Sequence, residues 1–175
     1  MTTAVSPLLP PIERTRLDRW RDALLADPRG LRLWRWLAPA LVTLVAAVLR
    51  LIDLGNPHQL VFDETYYVKD AWSQWVLGYP STWPEGADAS FAAGDTDIFT
   101  GIGSYVVHPP LGRILIGAGM ALFGADSATG WRIAAAVFGM ATVLLIYLFA
   151  RTLTRSIPLA TVASGLFAID GLGIV

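Results

Sequence analysis

Asp63 and Glu64 stand side by side at the head of an aromatic run, VFDETYYVKDAWSQW. A carboxylate can take the proton from a hydroxyl as its oxygen attacks carbon. Asp is also a preferred helix N-cap, and an acid in the first turn interacts well with the helix dipole. The two readings are compatible, because a helix terminus would keep Asp63 ionised while Glu64 orients the base or the acceptor. A second constellation is His108-Pro109-Pro110-Leu111-Gly112-Arg113. Paired prolines start a helix well and leave the preceding residue extended. The flanking His108 and Arg113 suit an anionic group, and Arg can bind a phosphate bidentately. Arg132 is the third candidate, at the edge of an apolar stretch. It is either a snorkelling anchor or a fixed cation for a phosphate leaving group, whose negative charge grows as its bond breaks. Asp95 and Asp97 suggest a cation site less well than a solvated loop. The glycines of GIG lack the strand and helix context of a phosphate loop.

The rest of the composition narrows the chemistry. The chain has 175 residues, is 54% hydrophobic and contains no cysteine. It therefore has no disulfide framework, thiolate metal site or cysteine nucleophile. His58 and His108 are the only histidines and do not form a zinc-binding pair. No cofactor is implied, and a divalent metal requirement stays open. The basic residues cluster where a membrane orientation rule explains them, so nothing points to nucleic acid.

The elements that must position these residues follow from hydropathy. Residues 1–35 form an Arg-rich tail, with a basic amphipathic helix expected from Ile12 to Leu24 and ended by Asp27, Pro28 and Gly30. Residues 36–52 form the first span. Arg50 near its far end reaches either the interface or a polar site. Seven arginines precede this span, so the amino terminus is expected to be cytoplasmic. Residues 53–129 form an extracytoplasmic loop. Its first part, 53–108, carries eight acids against Lys69 alone. A helix is expected at 64–77, with Val68, Trp72, Trp75 and Val76 as its apolar stripe and Gly78 as its stop. Residues 79–103 read as irregular loop. The apolar segment 109–124 is short and contains Arg113, so it is expected to lie on the outer face as an interfacial helix. That choice leaves Arg151 and Arg155 on the cytoplasmic side. Residues 130–151 are the second span, with Arg132 at its outer end near Asp63. Residues 157–175 are a third, truncated one, with Asp170 near its outer end.

FDETYYVKDAW after a first span, VHPPLGR before an interfacial helix, GWRIAAAVFG opening the next span and AIDGLGIV near the end together resemble one family. It is the protein O-mannosyltransferase family, in its actinobacterial form. The resemblance covers about residues 34–175 but only the amino-terminal part of the family's length. It implies an all-α integral membrane protein with the C-type glycosyltransferase fold, located in the plasma membrane with its active site outside. The family's essential Asp-Glu pair falls on Asp63 and Glu64, and the Asp is the base for an acceptor Ser or Thr. Its essential arginine falls on Arg132, and the basic positions of its HPPLG motif fall on His108 and Arg113, facing the donor phosphate.

The resemblance further implies a polyprenyl-phosphate mannose donor and an acceptor polypeptide coupled to secretion. The reaction would invert the anomeric carbon in one displacement. The later spans and outer loops that complete the donor groove are absent. Two alternatives stay open: a transferase of the same fold with another sugar or acceptor, and a truncated, non-catalytic membrane protein.

Overall fold

The computed structural model describes Thr15, Arg16, Arg19 and residues 28–171. The helix expected at 12–24 lies largely outside the described residues, although Arg19 N–H donates to the Thr15 carbonyl at 3.2 Å. Six helices follow: α1 (Pro28–Leu51), α2 (Glu64–Leu77), α3 (Ala87–Ala92), α4 (Leu111–Phe123), α5 (Ala128–Thr154) and α6 (Ile157–Ala168). Residues up to Ala38 form one compact unit and those from Pro39 another.

Helices α1 and α5 are long and apolar enough to cross a membrane. Among the described residues the fold is all-helical, with no strand longer than an isolated bridge. α1 starts at Pro28, earlier than the expected 36, because proline suits the first helical turn and the arginines after it are good helix formers. α5 extends beyond 130–151 to Ala128–Thr154. Its Ser127 cap accepts from Gly130 N–H, and its end is marked by Arg155 with φ 53°. α6 stops at Ala168 after 12 residues. At 1.5 Å per residue that is about 18 Å, well short of a bilayer core of about 30 Å.

The core around the acidic turn joins Val68 and Ala71 of α2, Phe91 of α3, Met120 of α4, and Ala128 and Trp131 of α5. α2 packs on α4, α4 on α5, and α5 on α6. The α4–α5 crossing is close because glycines face it. A Cβ on Gly119 would stand 2.5 Å from the Gly130 carbonyl oxygen. A second cluster joins Val42 and Ala46 of α1, Val143 of α5 and Ala168 of α6.

Arg50 belongs to that second region. It is 2% exposed and turns back along α1, so that Nη1 donates to the Ala46 and Ala168 carbonyls at 3.4 and 3.2 Å. Side chains on a helix lean toward its amino end, and this arginine follows that direction rather than reaching for the nearer helix terminus. Gly139 makes room for it: a Cβ there would lie 2.6 Å from Arg50 Nε.

The segment read as loop at 79–103 carries structure of its own. It contains α3 and an antiparallel bridge between Ser81 and Gly103, with Thr82 N–H donating to Ile102 O at 2.7 Å. A six-residue helix is too short to show a period, and a single bridge leaves no alternation to read. The α2 stripe also differs from expectation. Val68 and Ala71 are buried, whereas Trp75 and Val76 are about half exposed. Ser73, outside that stripe, is fully buried; its hydroxyl accepts Ser81 N–H at 3.0 Å and donates to Lys69 O at 3.1 Å.

Candidate active site

The acid pair meets α5 through Arg132. Its Nε donates to Glu64 Oε1 at 2.7 Å and its Nη2 to Oε2 at 2.9 Å, a bidentate pair. Nη1 donates to the Leu54 and Pro57 carbonyls at 3.2 and 3.0 Å, and Nη2 also donates to Gln59 O at 3.2 Å. A guanidinium has five N–H donors. All of them are taken, and Arg132 is 5% exposed. A phosphate could bind this arginine only by displacing one of these acceptors. The observed arrangement makes Arg132 a clamp on the 54–64 turn. Glu64 completes it, since Oε2 also accepts Val61 N–H at 3.0 Å, three residues back in the turn.

Asp63 occupies the N-cap position with φ −68° and ψ −16°, and its side chain makes no capping hydrogen bond. The expected cap is therefore not formed by this carboxylate. The Asp63 backbone carbonyl accepts Tyr66 and Tyr67 N–H, both at 3.0 Å. The carboxylate is exposed and has no hydrogen-bond or ion-pair partner among the described residues. Just before it, Phe62 has φ 52°. A bulky residue held in the left-handed region costs roughly 1–2 kcal/mol, which the clamped turn must offset.

On α2, Asp63, Tyr67, Asp70 and Gln74 recur at helical spacing and share one face. Segment 104–108 runs along that face. Ser104 Oγ donates to Asp70 Oδ1 at 3.3 Å, and the His108 ring lies 5.8 Å from the Tyr67 ring. Arg113 secures the arrangement from α4. It is 4% exposed, with Nε donating to Gln74 Oε1 at 2.9 Å and Nη2 to the His108 carbonyl at 3.1 Å. Burial pushes the Asp70 carboxyl above its ordinary value, against the opposing pull of Ser104, Arg113 and Lys69. His108 itself is exposed.

The structure thus pairs Glu64 with Arg132 at the amino end of α2, beside Asp63, and sets His108 against Tyr67 and Arg113 against Gln74 further along the helix. It also adds Tyr67, Asp70, Gln74 and Ser104, none of which stood out as site residues in the sequence. The spacing of Asp63, Tyr67, Asp70 and Gln74 was the available signal. Of the loop acids, Asp97 accepts Trp72 Nε1–H at 3.1 Å. Among the described residues, no three His, Asp or Glu side chains converge as a metal site.

Residues 107–173, from the His108 segment through α6, match the family described as dolichyl-phosphate-mannose-protein mannosyltransferase. Over 172 residues, 97% of the chain, it is 31% identical to polyprenol-phosphate-mannose–protein mannosyltransferases of Mycolicibacterium smegmatis and Mycobacterium tuberculosis. Over nearly all of its own length the chain is similar to these protein mannosyltransferases. A Corynebacterium glutamicum protein of the same name is 33% identical over 169 residues. The chain spans 27–28% of the length of these mannosyltransferases. An alignment over 97% of the chain includes the Asp63–Glu64 turn, which lies outside the 107–173 match. No solved structure matches this chain.

Proposed function

We propose that the chain forms part of a membrane glycosyltransferase that moves mannose from a polyprenyl-phosphate mannose to Ser or Thr hydroxyls of polypeptides on the outer membrane face. The observation that carries this reading is the exposed, unpartnered Asp63 carboxylate on a turn fixed by Glu64 and Arg132. In the step, the acceptor oxygen attacks the anomeric carbon as the carbon–oxygen bond to phosphate breaks. The bonding pair leaves with the phosphate oxygen, and the hydroxyl proton passes to Asp63. Attack opposite the leaving group inverts the anomeric centre.

His108, Arg113 and Arg132 were the sequence candidates for the donor phosphate. In this reading, the exposed His108 ring is the group free to donate to a phosphate oxygen. Arg113 and Arg132 contribute through what they hold, the His108 carbonyl and the Glu64 turn. The C-type fold, with α2 and α4 as outer-face interfacial helices, belongs to the same proposal. α4 supports it by its 13 residues, too few to cross a bilayer core.

Orientation is supported by the contact between Arg132 and the Leu54 carbonyl, which brings the end of α1 to the start of α5. If both cross, Arg151 and Arg155 lie on the opposite face, which the positive-inside rule makes cytoplasmic.

The reading is tested with membranes containing the protein, supplied with labelled polyprenyl-phosphate mannose and a Thr-rich peptide. Mannose should appear on the peptide, and excess polyprenyl-phosphate glucose should compete weakly. Equal use of both donors, or sugar appearing only on lipid, contradicts it.

A further inference from the structure

Asp63 is flanked by exposed aromatic side chains. Phe62 is 84% exposed and Tyr66 70%. Tyr105 is 91% exposed and follows Ser104, which is tied to Asp70 on the Asp63 face of α2. Among the described residues, none of these three side chains makes a ring contact or a hydrogen bond. Packing within the described residues therefore does not explain them.

The surrounding charge narrows what can cover them. Residues 53–108 hold eight acids and one lysine, and Lys69 is spent on Asp88 at 2.6 Å. Arg132 neutralises Glu64, but Asp63, Asp53 and Glu85 have no ion-pair partner among the described residues. An anionic lipid surface is repelled by such a face. A polypeptide that is neutral or basic near its acceptor hydroxyl is attracted to it.

We infer that Phe62, Tyr66 and Tyr105 form the platform for the acceptor polypeptide, and that the site selects acceptor segments that are neutral or basic beside the Ser or Thr and rejects acidic ones. The inference rests on the mannosyl-transfer reading above. Tyr and Phe offer large, rigid contact area at small entropic cost, which suits an extended segment without fixed side-chain identity. The range of the charge effect follows from screening. The Debye length is about 8 Å at physiological salt, and an extended chain advances about 3.4 Å per residue. Charges within about two residues of the acceptor hydroxyl are felt, and those five or more away are largely screened.

The test uses membranes containing the protein and three Thr peptides that differ only in carrying Lys, Gln or Glu two residues either side of the Thr. At low ionic strength, kcat/KM should fall from Lys through Gln to Glu, about tenfold overall, and the spread should shrink to about twofold near 0.5 M salt. Phe62→Ala and Tyr66→Ala should each raise the acceptor KM about fivefold and leave the donor KM unchanged, as loss of a contact made equally in ground and transition states requires. Equal kcat/KM for the three peptides overturns the charge selection. Variants that raise the donor KM alone assign the aromatics to lipid and overturn the platform. No transfer to any peptide removes the mannosyl-transfer reading and this inference with it, an outcome distinct from transfer without charge preference.

Discussion

Arg132 and Glu64 lie 68 residues apart in the chain and are joined by two hydrogen bonds of 2.7 and 2.9 Å. The same guanidinium holds three carbonyls of the turn after α1. Because its donors are saturated by the protein, its predicted effects are those of a positioning residue. Arg132→Ala leaves a carboxylate and three carbonyls short of donors, which should destabilise the fold by about 3 kcal/mol or more. Arg132→Lys keeps the charge but has three donors in place of five, and should recover part of the stability. Thermal unfolding in detergent and donor binding separate the roles. In Arg132→Lys, donor affinity should change less than about threefold; a loss of tenfold or more, about 1.4 kcal/mol, assigns the arginine to the phosphate.

Asp70 gives a pH-dependent prediction. Burial raises its carboxyl above the ordinary value, so the folded state binds the proton more tightly than the unfolded state does. Such a group favours the fold most when protonated. Its contribution is lost as pH rises from the unfolded value of 3.8 through the raised folded value. Asp70→Asn, which can still accept from Ser104, should therefore be more stable than wild type at neutral pH, with the advantage vanishing in acid. Melting curves across that range check the sign. An advantage that grows on acidification would contradict it.

Two glycines on α4 should behave oppositely. A Cβ on Gly119 would meet the Gly130 carbonyl oxygen at 2.5 Å and Ile133 Cγ2 at 2.7 Å. Backbone cannot swing aside, so Gly119→Ala must separate α4 from α5, at about 1–3 kcal/mol. Gly112→Ala meets nothing within 4 Å and should stabilise α4 by up to about 1 kcal/mol. Limited proteolysis of the two variants in detergent should show faster cleavage for the first only.

Much of the fold was legible because its signals are local. The acids at 63–64 and Gly78 with φ 83° bracket α2 at the expected 64–77. The paired prolines open α4 within two residues of the expected start. What escaped notice depends on distant or backbone partners. The acceptors of Arg132 include carbonyls, which any sequence supplies, and Glu64 lies far away in the chain. The Asp63–Gln74 stripe carries polar residues on a helix whose aromatics drew attention to another face. Ser73 reads as a surface residue until Ser81 N–H is seen to need its hydroxyl. Asp63 was legible as a candidate, but that its carboxylate caps nothing required coordinates.

The role of Asp63 is tested most directly by mannose transfer to a Thr peptide in Asp63→Asn, measured beside donor binding by the same membranes. A general base removed without change of shape should lower kcat by about 100-fold or more. Donor affinity should stay within about threefold of wild type, and stability within about 0.5 kcal/mol, because the exposed carboxylate holds no part of the fold. Turnover near the wild-type value would contradict the assignment of Asp63 as the base.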